Sequence, residues 1–559
     1  MKKTFLFLMI LCTFLVFAQA AAPQDQTLKI GLFYDSNALP SANLQNNVGS
    51  GYHIGSYDSA RKFIPRYSVL QQRISMLQDM NFYHSDAKFY LSGAPKGSKV
   101  IGAFHLQLST TYTDHTAARA MAESLKLRGY EAFVAWQGSG FVVRVGHYTN
   151  FAAANSAAQT ANLGVTAVAM GNRATTITIV DTVTGTILFE FDGTLGILPA
   201  GTATITWFKG NKYYGGFEYS RNAGNITVCN IVSMQNYLKG VVPYEMSASW
   251  PQEALRAQAM CARTYAYSNL GKHKAFDLCN SSDCQVYRGT GSATENSDRA
   301  VDSTNGMYIL YNGKPITAVY HSSNGGATED SENVWGGQHA YLRGVRDPYE
   351  DLNTATHGRW SAEYTGEDIQ WILNAKGYTI GKIVDVRPVY TKLGNVYSLT
   401  FVDETGKTLL IQKSATRSIL NSPTLEKYTY SQRFTIQKKG SETPVAPVVK
   451  QLYVNLSDYA LDLIEGVSVI GQNGKIQSLK TGDTVVVRSA NGTSSYNVSA
   501  PKPATPPATN DSNVFVVNGT GWGHNVGLSQ NGAKGMANKG FTGEQIVRFY
   551  YAGVTISNT

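Results

Sequence analysis

NYLKGVVPYEMSASWPQEALRAQAMCARTYAYSN, residues 236–269, passes from a loop through a turn into a well-specified helix. Ser249 is a good N-cap, Gln252 three residues later completes a capping box, and Pro251 is tolerated in the first turn. Ala254, Leu255, Gln258, Ala259 and Ala262 follow at helical spacing, a face of mostly small residues that lets another element approach closely. Before the helix, Glu245 lies on a turn just after Pro243, among Val241, Val242, Tyr244 and Met246. A carboxyl in apolar surroundings is disfavoured in its charged form, which raises its pKa as a general acid working near neutrality requires. The plainer alternative is a solvated turn residue.

Outward from this segment the chain is rich in strands. Residues 165–232 alternate Thr, Val, Ile and aromatic side chains, with turn signals at Thr184-Gly185 and Gly224-Asn225, which predicts antiparallel strands. Residues 382–410 and 432–437 read alike, while helix is expected at 250–270, at 366–375 and in the last thirty residues, where Thr542 and Gln545 form another capping box. The fold class is therefore α+β and multidomain: a β-rich domain with a few packed helices. Pro-containing polar stretches at 441–447 and 501–513 bracket a block, 440–512, that reads as an insert. The large domain is thus discontinuous, 165–438 and 513–559. LKIGLF at 28–33 opens a further small β-rich region, 27–99.

Residues 101–163 contain a weak repeat. Phe104, Leu106 and Leu108 alternate and lead into a helical run at 116–127; Phe141, Val143, Val145 and Tyr148 repeat the order before a second run at 151–161. Gly129 is a candidate helix C-cap, and 132–136 another strand. Two strand-helix units pair naturally into one small α/β domain, and the layout resembles a SPOR domain, a family that binds peptidoglycan glycan stripped of its stem peptides.

At 559 residues, several domains are expected. Apolar residues at 43% against 16% charged, with 33 Tyr and 22 Phe, exclude a disordered chain. The net charge of +9 suits an anionic surface or polymer and does not imply nucleic acid. Lys2 and Lys3 precede an apolar run at 4–17 and then Ala18-Gln19-Ala20, the pattern of a signal peptide over residues 1–20. The run is shorter than the roughly 20 residues of a membrane-spanning helix, so export is expected, with an uncleaved anchor as the alternative.

The segment at 236–269, together with YHSSNGG (320–326), EDSENVWGG (329–337), YLRGV (341–345) and GWGHNVGLSQ (521–530), closely resembles the stage II sporulation protein D and amidase-enhancer family. The resemblance implies an exported lytic transglycosylase acting on glycan strands that a cell-wall amidase has denuded, with Glu245 as the catalytic glutamate. The non-catalytic alternative is a wall-binding enhancer of such an amidase. Tyr244, His321, Ser322, Ser323, Trp335, Tyr341, Arg343, His524, Ser529 and Gln530 are the candidates for lining a sugar groove, each with a structural alternative. The glycines of Gly325-Gly326, Gly336-Gly337 and Gly521-x-Gly523 suit tight turns and lack phosphate-loop spacing.

A second cluster lies in HKAFDLCNSSDC, 273–284. His273, Cys279, Asp283 and Cys284 can form a tetrahedral zinc site, and the resembling family can carry zinc here with two His and two Cys; Asp283 stands where a His is expected. A disulfide between Cys279 and Cys284 competes in an oxidising compartment, and free thiols are the third possibility. Such a zinc is structural, and the chemistry implied by the resemblance requires no cofactor. Cys229 and Cys261 read as small core residues.

Overall fold

In the computed structural model, which describes residues 26–46, 51–201, 205–441 and 513–558 and the backbone of four short strands between 468 and 497, Thr27–Phe33 buries Leu28 and Ile30 completely. It does so by pairing antiparallel with Thr227–Ser233, Ile30 standing opposite Asn230. The region 27–99 expected to be separate is therefore woven into the sheets that follow: Ser41–Asn46 and Arg73–Gln78 also pair with each other, and Arg73–Gln78 with Thr176–Asp181. Alternation predicts that a strand is half buried but not which distant strand covers its edge. The signal peptide expected at 1–20 lies outside the described residues. Of the block 440–512, described strands form two hairpins, Ser468–Ile470 with Ile476–Ser478 and Thr484–Ser489 with Gly492–Asn497.

The chain divides into two compact units, the first comprising 1–248, 269–308 and 556–559, the second 249–268 and 309–555. The stretch read as one discontinuous domain is thus shared between them. The first unit contains a seven-stranded and a ten-stranded sheet. One end of the larger sheet is a strand-helix-strand-strand-helix-strand unit: Phe104–Leu108, His115–Leu127, Ala132–Gln137, Phe141–Tyr148, Phe151–Thr160 and Ala167–Met170. Its strands lie in the order fourth, first, third, second, the split βαβ arrangement. The last strand pairs with the first, Ala169 opposite Leu106, so the unit extends past residue 163. Gly129 ends its first helix at φ +87°, with its N–H on the Lys126 carbonyl and that of Tyr130 on Leu125, a Schellman closure.

This sheet does not stop at the unit's edge. Ala132–Gln137 continues parallel into Ile187–Asp192, Val134 standing opposite Phe189. A buried ion cluster fastens the junction: Glu190, 1% exposed, meets Arg144 through one oxygen and His105 Nε2 at 3.1 Å through the other, which also accepts from Thr178 at 3.0 Å. Burial acts to raise the Glu190 pKa, but His105 and Arg144 overcome it and hold the carboxyl far below its ordinary value. Burial lowers that of His105, and the Glu190 charge reverses the shift and raises it.

In the second unit, Gln252–Ser268 packs against Gln530–Asn538 and Gly543–Tyr550, with Ala254, Ala257, Ala259, Ala262 and Ala266 fully buried. The helix begins at Gln252, and the Pro251 carbonyl takes bonds from Ala254 at 3.0 Å and Leu255 at 3.2 Å. Pro251 has no N–H to leave unpaired, so it suits the entry position. Thr542 and Gln545 form the capping box expected of them. Val514–Thr520, which follows the block read as an insert, is the central strand between Arg359–Thr365 and Phe434–Lys438, which precede it. Phe515 and Val517 enter one core with Ile369, Ile372, Leu399 and Phe401. Among the described residues, no helix is long and apolar enough to cross a membrane.

Candidate active site and metal-ligand cluster

Glu245 ends a one-turn helix, Val242–Glu245, whose flanking Val241, Val242 and Met246 are buried. The backbone is set by the preceding helix Met234–Lys239, capped by Ser233, and by the bond from Glu245 N–H to the Val241 carbonyl at 3.0 Å. The carboxylate is half-buried, and its Oε1 accepts from the backbone N–H of Val286 at 2.9 Å. Val286 is held on both sides. Tyr237 donates its hydroxyl to Gln285 Oε1 at 3.2 Å, and Tyr287 donates to Asn230 Oδ1 at 2.7 Å. Tyr287 can lie there because residue 240 is glycine: a Cβ would stand 2.5 Å from its ring. Tyr244 is half-buried beside the carboxylate in sequence, its hydroxyl 3.1 Å from where a Cβ on Gly291 would stand.

The strut that carries Val286 begins at the cysteine cluster. His273, Cys279, Asp283 and Cys284 bring one ligand atom each to within 4.8 Å of one another. His273 Nε2 is 3.3 Å from Cys284 Sγ, and both sulfurs are 3.9 Å from Asp283 Oδ2. Ligands at zinc bond lengths of about 2.0 to 2.3 Å stand about 3.3 to 3.8 Å apart at tetrahedral angles, so the spacing and the donor set fit that ion. Asp283 has a rival partner, since Lys272 Nζ lies 3.0 Å from its Oδ2 and draws the carboxyl pKa down. The hydrogen bond from Cys284 lowers the pKa of Cys279. Cys279 and Cys284 are both free here. The Leu278–Cys279 strand runs parallel to Thr27–Phe33, and the Phe276 ring covers Gly31 so closely that a Cβ there would be 2.6 Å away. Cys229 and Cys261 are buried with thiols pushed up to about 12, by burial first in each case.

The second unit gathers the later motifs. Tyr320–His321 pairs parallel with Leu528–Ser529, and Ser323 bridges Trp522. His524 lies between two rings, 5.0 Å from Trp335 and 5.1 Å from His321. His321 is 5% exposed; its Nδ1 meets the Val526 carbonyl at 3.2 Å, and its Nε2 is buried with no hydrogen-bond partner. Burial pushes His321 well below its ordinary pKa and His524 down to about 4, so both rings are neutral at pH 7. Gly523, at φ +137°, leaves room for His321, whose Cβ would be 2.5 Å from a methyl there. Trp335 is 46% exposed and offers a free face.

Other candidates make hydrogen bonds within the fold. Arg343 grips both oxygens of Glu332 and reaches Ser331 Oγ at 3.3 Å and the His339 carbonyl at 3.1 Å. Tyr341 accepts from Thr317 N–H at 3.2 Å. Ser529 caps Gln530–Asn538 by accepting from Gly532 N–H, and Gln530 reaches Gln258 at 3.4 Å. The Ser322 carbonyl accepts from Asn531 N–H at 3.0 Å and Nδ2 at 2.9 Å, while Ser323 Oγ is buried. Sequence reasoning missed the buried carboxylates that fix these loops. Glu329 accepts from Thr391, Asn395 and Asn333, and Glu350 accepts from the N–H groups of Asn324 at 3.0 Å and Gly325 at 3.1 Å.

Residues 222–311 match the model of the SpoIID family, described as stage II sporulation protein, and residues 101–169 match that of the SPOR domain. The chain carries a SpoIID domain and a SPOR domain. The first match contains Glu245, Val286 and all four cluster residues; the second ends where the strand Ala167–Met170 completes the split βαβ unit. The chain is 29% identical to the amidase enhancer of Bacillus subtilis over 57% of its own length and 40% of that protein's. It is 39% identical to an uncharacterized protein of Brachyspira hyodysenteriae over 24% of its own length and 38% of the other's. It therefore spans less than half of each of these relatives. To the stage II sporulation protein D of Bacillus subtilis it is 24% identical, covering 58% of this chain and 75% of that one.

Proposed function

We propose that this chain is an exported lytic transglycosylase of the cell wall, cleaving the bond between N-acetylmuramic acid and N-acetylglucosamine in denuded glycan, with the SPOR domain holding the strand. The observation that carries this reading is the half-buried Glu245 carboxylate fixed by Val286 N–H within the SpoIID domain. A single carboxyl is sufficient. Hydrolases need a second group to activate water or attack the sugar, whereas here the muramic acid supplies its own nucleophile. The Glu245 carboxyl protonates the leaving N-acetylglucosamine oxygen as the glycosidic bond breaks. The muramic 6-hydroxyl then bonds to its own anomeric carbon, giving a 1,6-anhydro end, and its proton returns to Glu245.

His273, Cys279, Asp283 and Cys284 are the residues that would hold zinc. With four protein ligands the ion supplies a closed structural cross-link. What this chain's residues do there is place Gln285 and Val286, and through Val286 N–H the carboxylate that moves the proton.

Glu245→Gln tests the proposal. It should abolish release of anhydro-ended fragments from amidase-treated peptidoglycan while leaving the thermal transition in place; undiminished release would remove Glu245 from the reaction. The similarity to an amidase enhancer favours a second reading, stimulation of an amidase without glycan cleavage, which predicts no anhydro ends, and faster release of stem peptides only when amidase is added.

A further inference from the structure

The second unit contains a cavity of about 630 Å³ lined by three arginines, Arg346, Arg359 and Arg433, together with Trp360 and Phe434. Arg346 and Arg359 come from separate loops and strands around the cavity, and among the described residues none of the three lies within salt-bridge distance of a carboxylate. Arg433 is aimed by its bond to the Leu393 carbonyl. Gly326 and Gly394 lie beside it, the place of a Cβ on each being 3.9 Å and 3.5 Å from its nitrogens, ordinary contact distances. Burial, with Arg346 alongside, pushes the Arg433 guanidinium below its ordinary pKa, and the more weakly felt Glu329 and Glu350 do not restore it. Three like charges in one partly enclosed space repel one another, so an anion that enters neutralises a standing cost. Trp360 is immobilised by its Nε1 bond to the Gly521 carbonyl at 3.0 Å and by lying flat on Gly519, where a Cβ would be 2.1 Å from the ring. A fixed indole beside a charge cluster suits a ligand with an apolar ring face and an acidic group.

We infer that this cavity binds a carboxylate-bearing sugar, and specifically the free lactyl carboxylate of a denuded muramic acid residue. The inference rests on the proposed substrate. An amidase that removes the stem peptide leaves a carboxylate on the lactyl group where an uncharged amide stood before. A guanidinium cluster therefore distinguishes denuded from peptide-bearing sugar by charge, and the rejected sugar leaves the arginines unpaired.

The test uses the full chain with Glu245→Gln, so that binding is measured without turnover. The ligands are size-fractionated amidase-treated glycan chains, the same chains with their carboxylates converted to methylamides, and sodium phosphate. Adding Arg346→Gln and Arg359→Gln should weaken binding of the carboxylate chains by about tenfold or more and leave the methylamide chains within about twofold. The matching Lys substitutions should recover part of the loss. Equal loss on both glycans, or no loss on either, overturns the inference. Phosphate binding as tight as glycan, and equally dependent on the two arginines, assigns the cavity to a small anion and also overturns it. Failure of the catalytic reading is seen separately, as anhydro ends released by the Glu245→Gln chain itself.

Discussion

Replacing Glu190 with Gln should destabilise the first unit severely. The substitution keeps the shape of the side chain but leaves Arg144, 3% exposed, charged and without its anion. Breaking a buried pair from one side costs about 3 to 5 kcal/mol. At a urea dependence of about 3 kcal/mol per molar, the midpoint of this unit should fall by about 1 M or more. Replacing Arg144 and Glu190 together with Met should recover most of the loss, because a well-packed apolar pair is about as stable as a buried ion pair. Urea melts followed through Trp136 and Trp207, with hydrogen exchange of the amides in Ala132–Gln137, report the effect. The pH dependence carries a sign on each side. Glu190 sits below its ordinary 4.5, so its contribution is present above that pH and is lost as the solution becomes more acid. His105 sits above 6.5, so its contribution is full below that pH and fades as pH rises through the raised value. The advantage of the wild type over the double Met variant should therefore peak between about pH 4.5 and 6.5. A Glu190→Gln stability unchanged within about 0.5 kcal/mol, or a double variant as unstable as the single one, would refute this account.

Val286→Pro removes the N–H that Glu245 accepts and should slow anhydro-end release by about tenfold to a hundredfold, whereas Val286→Ala keeps the donor and should stay within about twofold, both variants retaining native circular dichroism. The purified chain should contain one zinc per molecule by elemental analysis; Cys284→Ser should lose it and slow release with the wild-type fold otherwise intact. His524, lowered to about 4 mainly by burial and secondarily by Arg417, favours its neutral form in the folded chain. Its contribution, at most about 3 kcal/mol, is present above pH 6.5 and is lost as pH falls towards 4. A series of melting temperatures from pH 7 to 4 should fall more steeply for the wild type than for His524→Asn.

Local chemistry made much of this molecule legible. The alanine spacing after Pro251 defines the helix Gln252–Ser268, Gly129 closes its helix at positive φ, and Thr542 and Gln545 cap theirs, because each signal and its partner lie within one or two turns. The proximity of His273, Cys279, Asp283 and Cys284 is legible for the same reason, the four residues falling within twelve positions. What stayed hidden depends on distance along the chain. The donor to Glu245 is a backbone N–H 41 residues away, and a backbone group leaves no mark in side-chain identity. The pairing of Arg343 with Glu332, eleven residues away, and the helix cap made by Ser529 could be seen only in the structure. The partner of Thr27–Phe33 lies about two hundred residues on.

The continuation of the sheet from Ala132–Gln137 into Ile187–Asp192 means that the SPOR domain cannot be cut away as an accessory. Its removal would strip the covering strand from Ile187–Asp192, exposing a row of unpaired backbone groups beside the otherwise buried Phe189 and Phe191. A bare apolar edge of that kind recruits other chains. A truncated protein would then precipitate or self-associate, and lost activity would report aggregation where lost glycan binding was meant to be measured. Point substitutions on the surface of the domain, which keep the sheet closed, are the variants that separate the two.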